Sequence, residues 1–203
     1  MRRARALAGA LLVLATAAHA GTKWVTTWTG PHADRARPLK KILVIGMSSD
    51  TTIRRMFEED LAARIAGGTT QATPSFAILP RLTLDAEPLR ARVREYGFDG
   101  VLITRLIGRG SKSRPPSAED ASNGAPYGPY ATGYAGWQGE VYSPGYLSSE
   151  TIVRLQSRLW SVEDGGQALW TGVSDGVGLE NLPRACRQVS SLVVRELRKH
   201  GLI

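Results

Sequence analysis

Residues 41–68 read KILVIGMSSDTTIRRMFEEDLAARIAGG, and this stretch decides the fold class. Residues 41–47 form a continuous apolar run with β-branched side chains. The run is short and bounded by turn formers, which predicts a strand buried on both faces rather than a helix. Ser49, Asp50 and Thr51 then offer side-chain oxygens to cap a helix start. Ile53, Phe57, Leu61 and Ile65 recur every four residues and make one apolar stripe. Arg54 with Glu58, Arg55 with Glu59, and Asp60 with Arg64 sit four apart on the other faces. The cluster Glu58-Glu59-Asp60 therefore reads as a solvated face with ion partners. Gly67-Gly68 ends the helix.

The pattern repeats downstream. Residues 75–79 read as a second short strand stopped by Pro80. Asp85 opens a helix whose apolar face is Leu89, Val93 and Tyr96, with Gly97 as its C-terminal cap. Residues 101–107, VLITRLI, give another buried strand. Strand, helix, strand, helix, strand implies a mainly parallel sheet with right-handed crossovers. Upstream, residues 23–29 (KWVTTWT) suit a short strand at a sheet edge, with Trp24 and Trp28 flanking Thr26 on one face.

The alternation breaks at Gly108. Residues 109–149 are rich in Gly, Pro, Ser and Tyr, a length that inside a compact domain is mobile or functional. Order resumes at residues 150–162, where Ile152, Arg154, Gln156 and Arg158 alternate with Val153, Leu155 and Leu159. Glu163-Asp164-Gly165-Gly166 is a turn and residues 167–174 the return strand, so the pair is a β-hairpin. Asn181 caps the last helix, Pro183 sits in its first turn, and Leu182, Cys186, Val189, Val193 and Leu197 line one face. The expected fold is α/β. A mixed, mainly parallel sheet carries flanking helices, a C-terminal hairpin and helix, and a long Gly/Tyr-rich insert.

With 203 residues, 42% hydrophobic and 22% charged, the chain suits one globular domain and excludes wholesale disorder. Its single cysteine excludes an internal disulfide framework and a multi-cysteine zinc site. Residues 1–20 have a basic start, Arg2, Arg3 and Arg5. An apolar centre at residues 6–18 and the small-x-small end Ala18-His19-Ala20 follow. This predicts a cleaved secretory signal of the Sec type, a mature start at Gly21 and residence in the periplasm. Position 21 is glycine rather than cysteine, so lipidation there is not expected. Residues 21–203 then form a single domain. Removing residues 1–20 lowers the net charge from +8 to +5. A solvated basic surface follows, with weak contact to an anionic surface as the alternative. No nucleic-acid motif is present.

Chemical motifs are sparse. His32 and His200 have no metal-ligand spacing and are expected at the surface, so no metal and no cofactor is predicted. Cys186 reads as a small buried hydrophobe. Gly108-Arg109-Gly110-Ser111-Lys112 lacks the spacing of a phosphate loop. Gly46-Met47-Ser48-Ser49-Asp50 joins a strand to a helix, where open α/β sheets bind ligands, but it lacks a glycine fingerprint. No nucleophile motif is present, and a non-enzymatic role is expected.

The segments KILVI (41–45), Phe57-Glu58, GFDGVLI (97–103), RLW (158–160) with Asp164-Gly165, and LWTG (169–172) carry a resemblance. Together they resemble bacterial envelope proteins, often lipoproteins, with an α/β domain like the TolB amino-terminal domain. The curli-secretion lipoproteins and penicillin-binding-protein activators look similar. The likeness covers about residues 40–108 and 150–200. It implies a non-catalytic binding or assembly role with an envelope protein partner. The alternative is a small-ligand receptor or enzyme with a site at the strand ends near residues 47–50. Tyr127, Tyr130, Tyr134, Trp137, Tyr142 and Tyr146 in the insert suit a partner-contacting surface. Aromatics that pack on themselves or cover the sheet edge are the other reading.

Overall fold

The computed structural model describes residues 22–33, 36–79, 81, 86–110, 152–163, 166–177 and 181–203. The expected signal at residues 1–20 and the insert from residue 111 onward lie outside the described residues. So do all six of the insert aromatics, Tyr127, Tyr130, Tyr134, Trp137, Tyr142 and Tyr146. The expected α/β class holds. The elements run β1 (Lys23–Thr29), β2 (Lys41–Gly46), α1 (Thr51–Ile65), β3 (Gln71–Pro74), a 3-10 turn (Ser75–Ala77), α2 (Ala86–Tyr96), β4 (Gly100–Gly110), β5 (Ile152–Ser161), β6 (Ala168–Val177) and α3 (Leu182–Lys199). They build one six-stranded sheet of order β1-β6-β5-β4-β2-β3. β3, β2 and β4 are parallel, while β5, β6 and β1 add antiparallel strands to that core.

Alternation along β2 sends Ile42 and Val44 to one face and Leu43 and Ile45 to the other, and both sets are fully buried. The first face packs under α1 and α3 with Phe57, Leu61, Ile65, Val189, Val193 and Leu197. The second packs under α2 with Leu89, Val93, Phe98 and Trp160. Burying each such aliphatic chain is worth roughly 1.5–3 kcal/mol, so the two-sided run at β2 anchors the domain.

Several local expectations shift. The predicted strand at residues 75–79 instead lies at Gln71–Pro74, in parallel register with β2 from Lys41↔Gln71 to Val44↔Pro74. The chain leaves the sheet at Ser75 because Ser75 Oγ and the Phe76 amide are drawn to the Glu58 carboxylate, at 2.7 and 2.9 Å. Tyr96, placed on the apolar face of α2, is 40% exposed. Tyr96 is the last residue of the helix, Gly97 follows at φ +63°, and the Tyr96 ring stacks on Phe98 at 6.1 Å instead of entering the core. β4 runs on to Gly110 through an irregularity between Leu106 and Gly108. A bulge between Trp24 and Thr26 separates the two tryptophans of β1. Trp24 meets Trp170 edge-on beneath the helices, at 5.3 Å between ring centres. Trp28 lies opposite Thr171, on the other face.

Candidate functional site

The strand ends near residues 47–50 form the crevice that the connection from β2 to α1 predicts. Asp50 caps α1, accepting from the amides of Thr52 and Ile53 at 2.8 and 3.0 Å. The polar centre of the crevice is a knot of groups that hydrogen-bond to one another. Glu58 Oε1 accepts from the Gly46 amide (2.9 Å), Arg54 Nε (3.0 Å) and Ser75 Oγ (2.7 Å). Glu58 Oε2 accepts from the Phe76 amide. Arg54 Nη2 donates to Ser75 Oγ and to the Leu79 carbonyl, at 2.7 and 2.8 Å. The pair is sealed, with Arg54 at 2% and Glu58 at 0% exposure. This overturns the solvated face expected for Glu58. A buried carboxylate is tolerable here because a guanidinium, two amides and a hydroxyl replace its hydration. Gly46 permits the approach, since a Cβ there would lie 3.1 Å from Phe57 Cδ1 and 3.6 Å from Glu58 Cγ.

Beside this knot lies a cavity of about 100 Å³ between α1, α3 and the sheet, lined mainly by apolar chains including Met47, Ile53, Phe57, Leu106, Leu155 and Cys186. Burial pushes the Cys186 thiol up to about 11, with Asp60 adding to the shift, so it stays protonated at neutral pH. The buried small hydrophobe expected for Cys186 is what the fold places there.

A second polar group lies on the opposite face of the sheet, across β4, β5 and β6. Arg105 Nε donates to Gln156 Oε1 (3.1 Å) and Arg158 Nε to Thr171 Oγ1 (2.9 Å). Arg154 forms a fork onto Asp175, at 2.7 and 2.8 Å. These are cross-strand pairs in register, so the alternation of Arg154, Gln156 and Arg158 in the sequence becomes a buried ladder. Burial and the charge of Arg105 lower Arg158 to about 10, which leaves it cationic at neutral pH. Its guanidinium also sits over the Trp160 ring at 5.6 Å. For Arg154, the Asp175 hydrogen bonds raise the value and outweigh burial.

His32 is exposed, as expected. His200 is part-buried beside Glu196, at 3.2 Å. Among the described residues no group of three or more His, Cys, Asp or Glu could hold a metal. Among them, too, no helix is long and apolar enough to cross a membrane. Reading residue spacing alone missed the knot, because an i, i+4 Arg-Glu pair looks the same buried or exposed. The available signal was Ser75, a small hydroxyl directly after Pro74, at the point where the chain leaves the sheet.

No protein-family model and no curated protein matches the chain. Similar solved structures include two PelC dodecamers from Paraburkholderia phytofirmans. One, a variant, is 14% identical with a TM-score of 0.43 and covers 83% of this chain and 95% of its own. The other is 14% identical with a TM-score of 0.44 and covers 90% and 99%. At these values the likeness carries no argument about function.

Proposed function

We propose that the chain is an exported, non-catalytic protein of the cell envelope that resides in the periplasm and acts by binding another envelope component. One observation carries the reading against an enzyme. The polar groups at the strand ends, where an α/β sheet would do chemistry, are consumed by the Glu58 knot. The tripartite pattern of residues 1–20 supports export. The resemblance to envelope proteins with a TolB-like domain supports a binding role, although fold alone does not fix function. A second reading keeps a small-ligand site near residues 47–50, and the 100 Å³ cavity is what favours it. Its apolar lining would suit a small apolar guest rather than a polar substrate.

Cross-linking in the periplasm followed by capture tests the binding role. A discrete envelope protein should be recovered, and mass spectrometry of the bait should place its amino terminus at Gly21. Replacing residues 124–145 with a short Gly/Ser bridge should leave folding intact, since loop closure changes by only about 0.6 kcal/mol per doubling of length. Capture should be lost if Tyr127, Tyr130, Tyr134, Trp137, Tyr142 and Tyr146 carry the contact. Unchanged capture would remove them from the interface, and capture of nothing by the full chain would remove the binding role.

A further inference from the structure

The outer face of α3 carries a charge pattern that neither the core nor the strand-end crevice explains. Arg184, Arg187 and Arg195 are exposed there, and with Gln188 and Ser191 they recur at helical spacing along one side. Together with Arg64 at the end of α1 and Thr22 before β1, they line a groove of about 490 Å³. At 1.5 Å per residue, Arg184 and Arg195 stand about 16 Å apart along the helix, so no single small anion spans the groove. Arg198 extends the row and is held against α1, with its Nη2 donating to the Arg64 carbonyl at 2.9 Å. Opposing charge is scarce. Asp60 is engaged by Arg64 at 2.9 Å. Glu196, the one acid of α3, is buried and engaged by Lys199 and His200. The α3 row is therefore of one sign and outward-facing, unlike Arg54 and Arg64 of α1 and Arg90 and Arg92 of α2, which are ion-paired.

We infer that this arginine groove is a contact surface for the phosphate headgroups of an anionic membrane. Charge and shape argue for a lipid surface. Arg184, Arg187, Arg195 and Arg198 are exposed along one side of a single amphipathic helix whose other side is buried in the core. Such a cluster of four meets several headgroup phosphates at once. Contact of this kind is electrostatic, not inserted. Among the described residues the exposed large hydrophobic is Tyr96, on α2. Basic residues at such a surface each add about fivefold in affinity, and salt cancels the gain.

Sedimentation with lipid vesicles tests this, using the chain recovered from the envelope after export. It should bind vesicles of phosphatidylcholine mixed with phosphatidylglycerol, should not bind pure phosphatidylcholine, and should be released by salt. The double variant Arg184→Gln/Arg187→Gln should bind about 25-fold more weakly. Arg92→Gln/Arg94→Gln on α2 removes the same charge elsewhere and should bind as the parent does. Arg195→Gln, a single exposed change, should cost about fivefold and repeats the test if the double variant misfolds. Free glycerophosphate at equal phosphate concentration should not compete. Equal weakening by the α2 variant, equal binding to both vesicle types, or competition by glycerophosphate would each overturn the assignment.

Discussion

Glu58→Ala is expected to destabilise the protein by about 3–5 kcal/mol, because it leaves the Arg54 charge buried without its carboxylate. Folded domains hold only about 5–15 kcal/mol in total, so the urea midpoint should fall to a fraction of its parent value. The loss is not confined to one ion pair. The amides of Gly46 and Phe76 lose their acceptor, and Ser75 Oγ loses one of its partners. For that reason the paired change Arg54→Met/Glu58→Leu, which removes both charges, should not restore the parent stability. An isolated buried ion pair can often be replaced by apolar residues without loss. Here the carboxylate also fixes where β2 ends and where the chain turns off the sheet after β3. A cost under about 1 kcal/mol for Glu58→Ala, the level of an exposed pair, would mean that the knot does not hold these elements.

Trp170→Ala should cost a similar amount, about 3–5 kcal/mol, through the cavity left at the centre of the helix-covered face. Trp170 is fully buried and packs edge-on against Trp24, with ring planes at 74°. Gly172 lies beneath both rings, and a Cβ there would stand 2.5 Å from Trp170 and Trp24 atoms. The indole Nε1 atoms of Trp24 and Trp170 have no hydrogen-bond partner among the described residues. The two effects can be separated. Trp170→Phe keeps most of the ring and loses no hydrogen bond, so it should cost clearly less than the alanine change. Thermal melts of both variants give the comparison. Equal losses would mean that ring volume is not what Trp170 contributes.

The parts of the fold that could be read from the sequence are those with a strong period and clean punctuation. Residues 41–47 announce β2, the Ile53-to-Ile65 stripe announces α1, and the stripe from Leu182 to Leu197 announces α3. The turn at Glu163-Asp164-Gly165-Gly166 announces the hairpin of β5 and β6. What failed did so where tertiary partners override local pattern. β3 holds its place by pairing with β2, although Gln71-Ala72-Thr73-Pro74 is a poor strand by composition. Trp24 and Trp28 parted because a bulge is invisible in an alternating pattern. The candidate site was legible in position and not in character. Strand-to-helix punctuation at residues 46–50 located the crevice, while the burial of Glu58 depended on Gly46 at the end of β2 and Ser75 and Phe76 of the 3-10 turn converging on it.

The central claim is that the strand-end crevice serves the fold and that the protein works through another surface. Ala185→Leu tests it most directly, because Ala185 lines the cavity and the isobutyl side chain that replaces its methyl would occupy it. Capture of the envelope partner by this variant, measured beside its melting temperature, gives the answer. The account predicts a melting temperature at or above the parent value and unchanged capture. A fully folded variant that has lost capture would contradict it and place the functional site in the crevice.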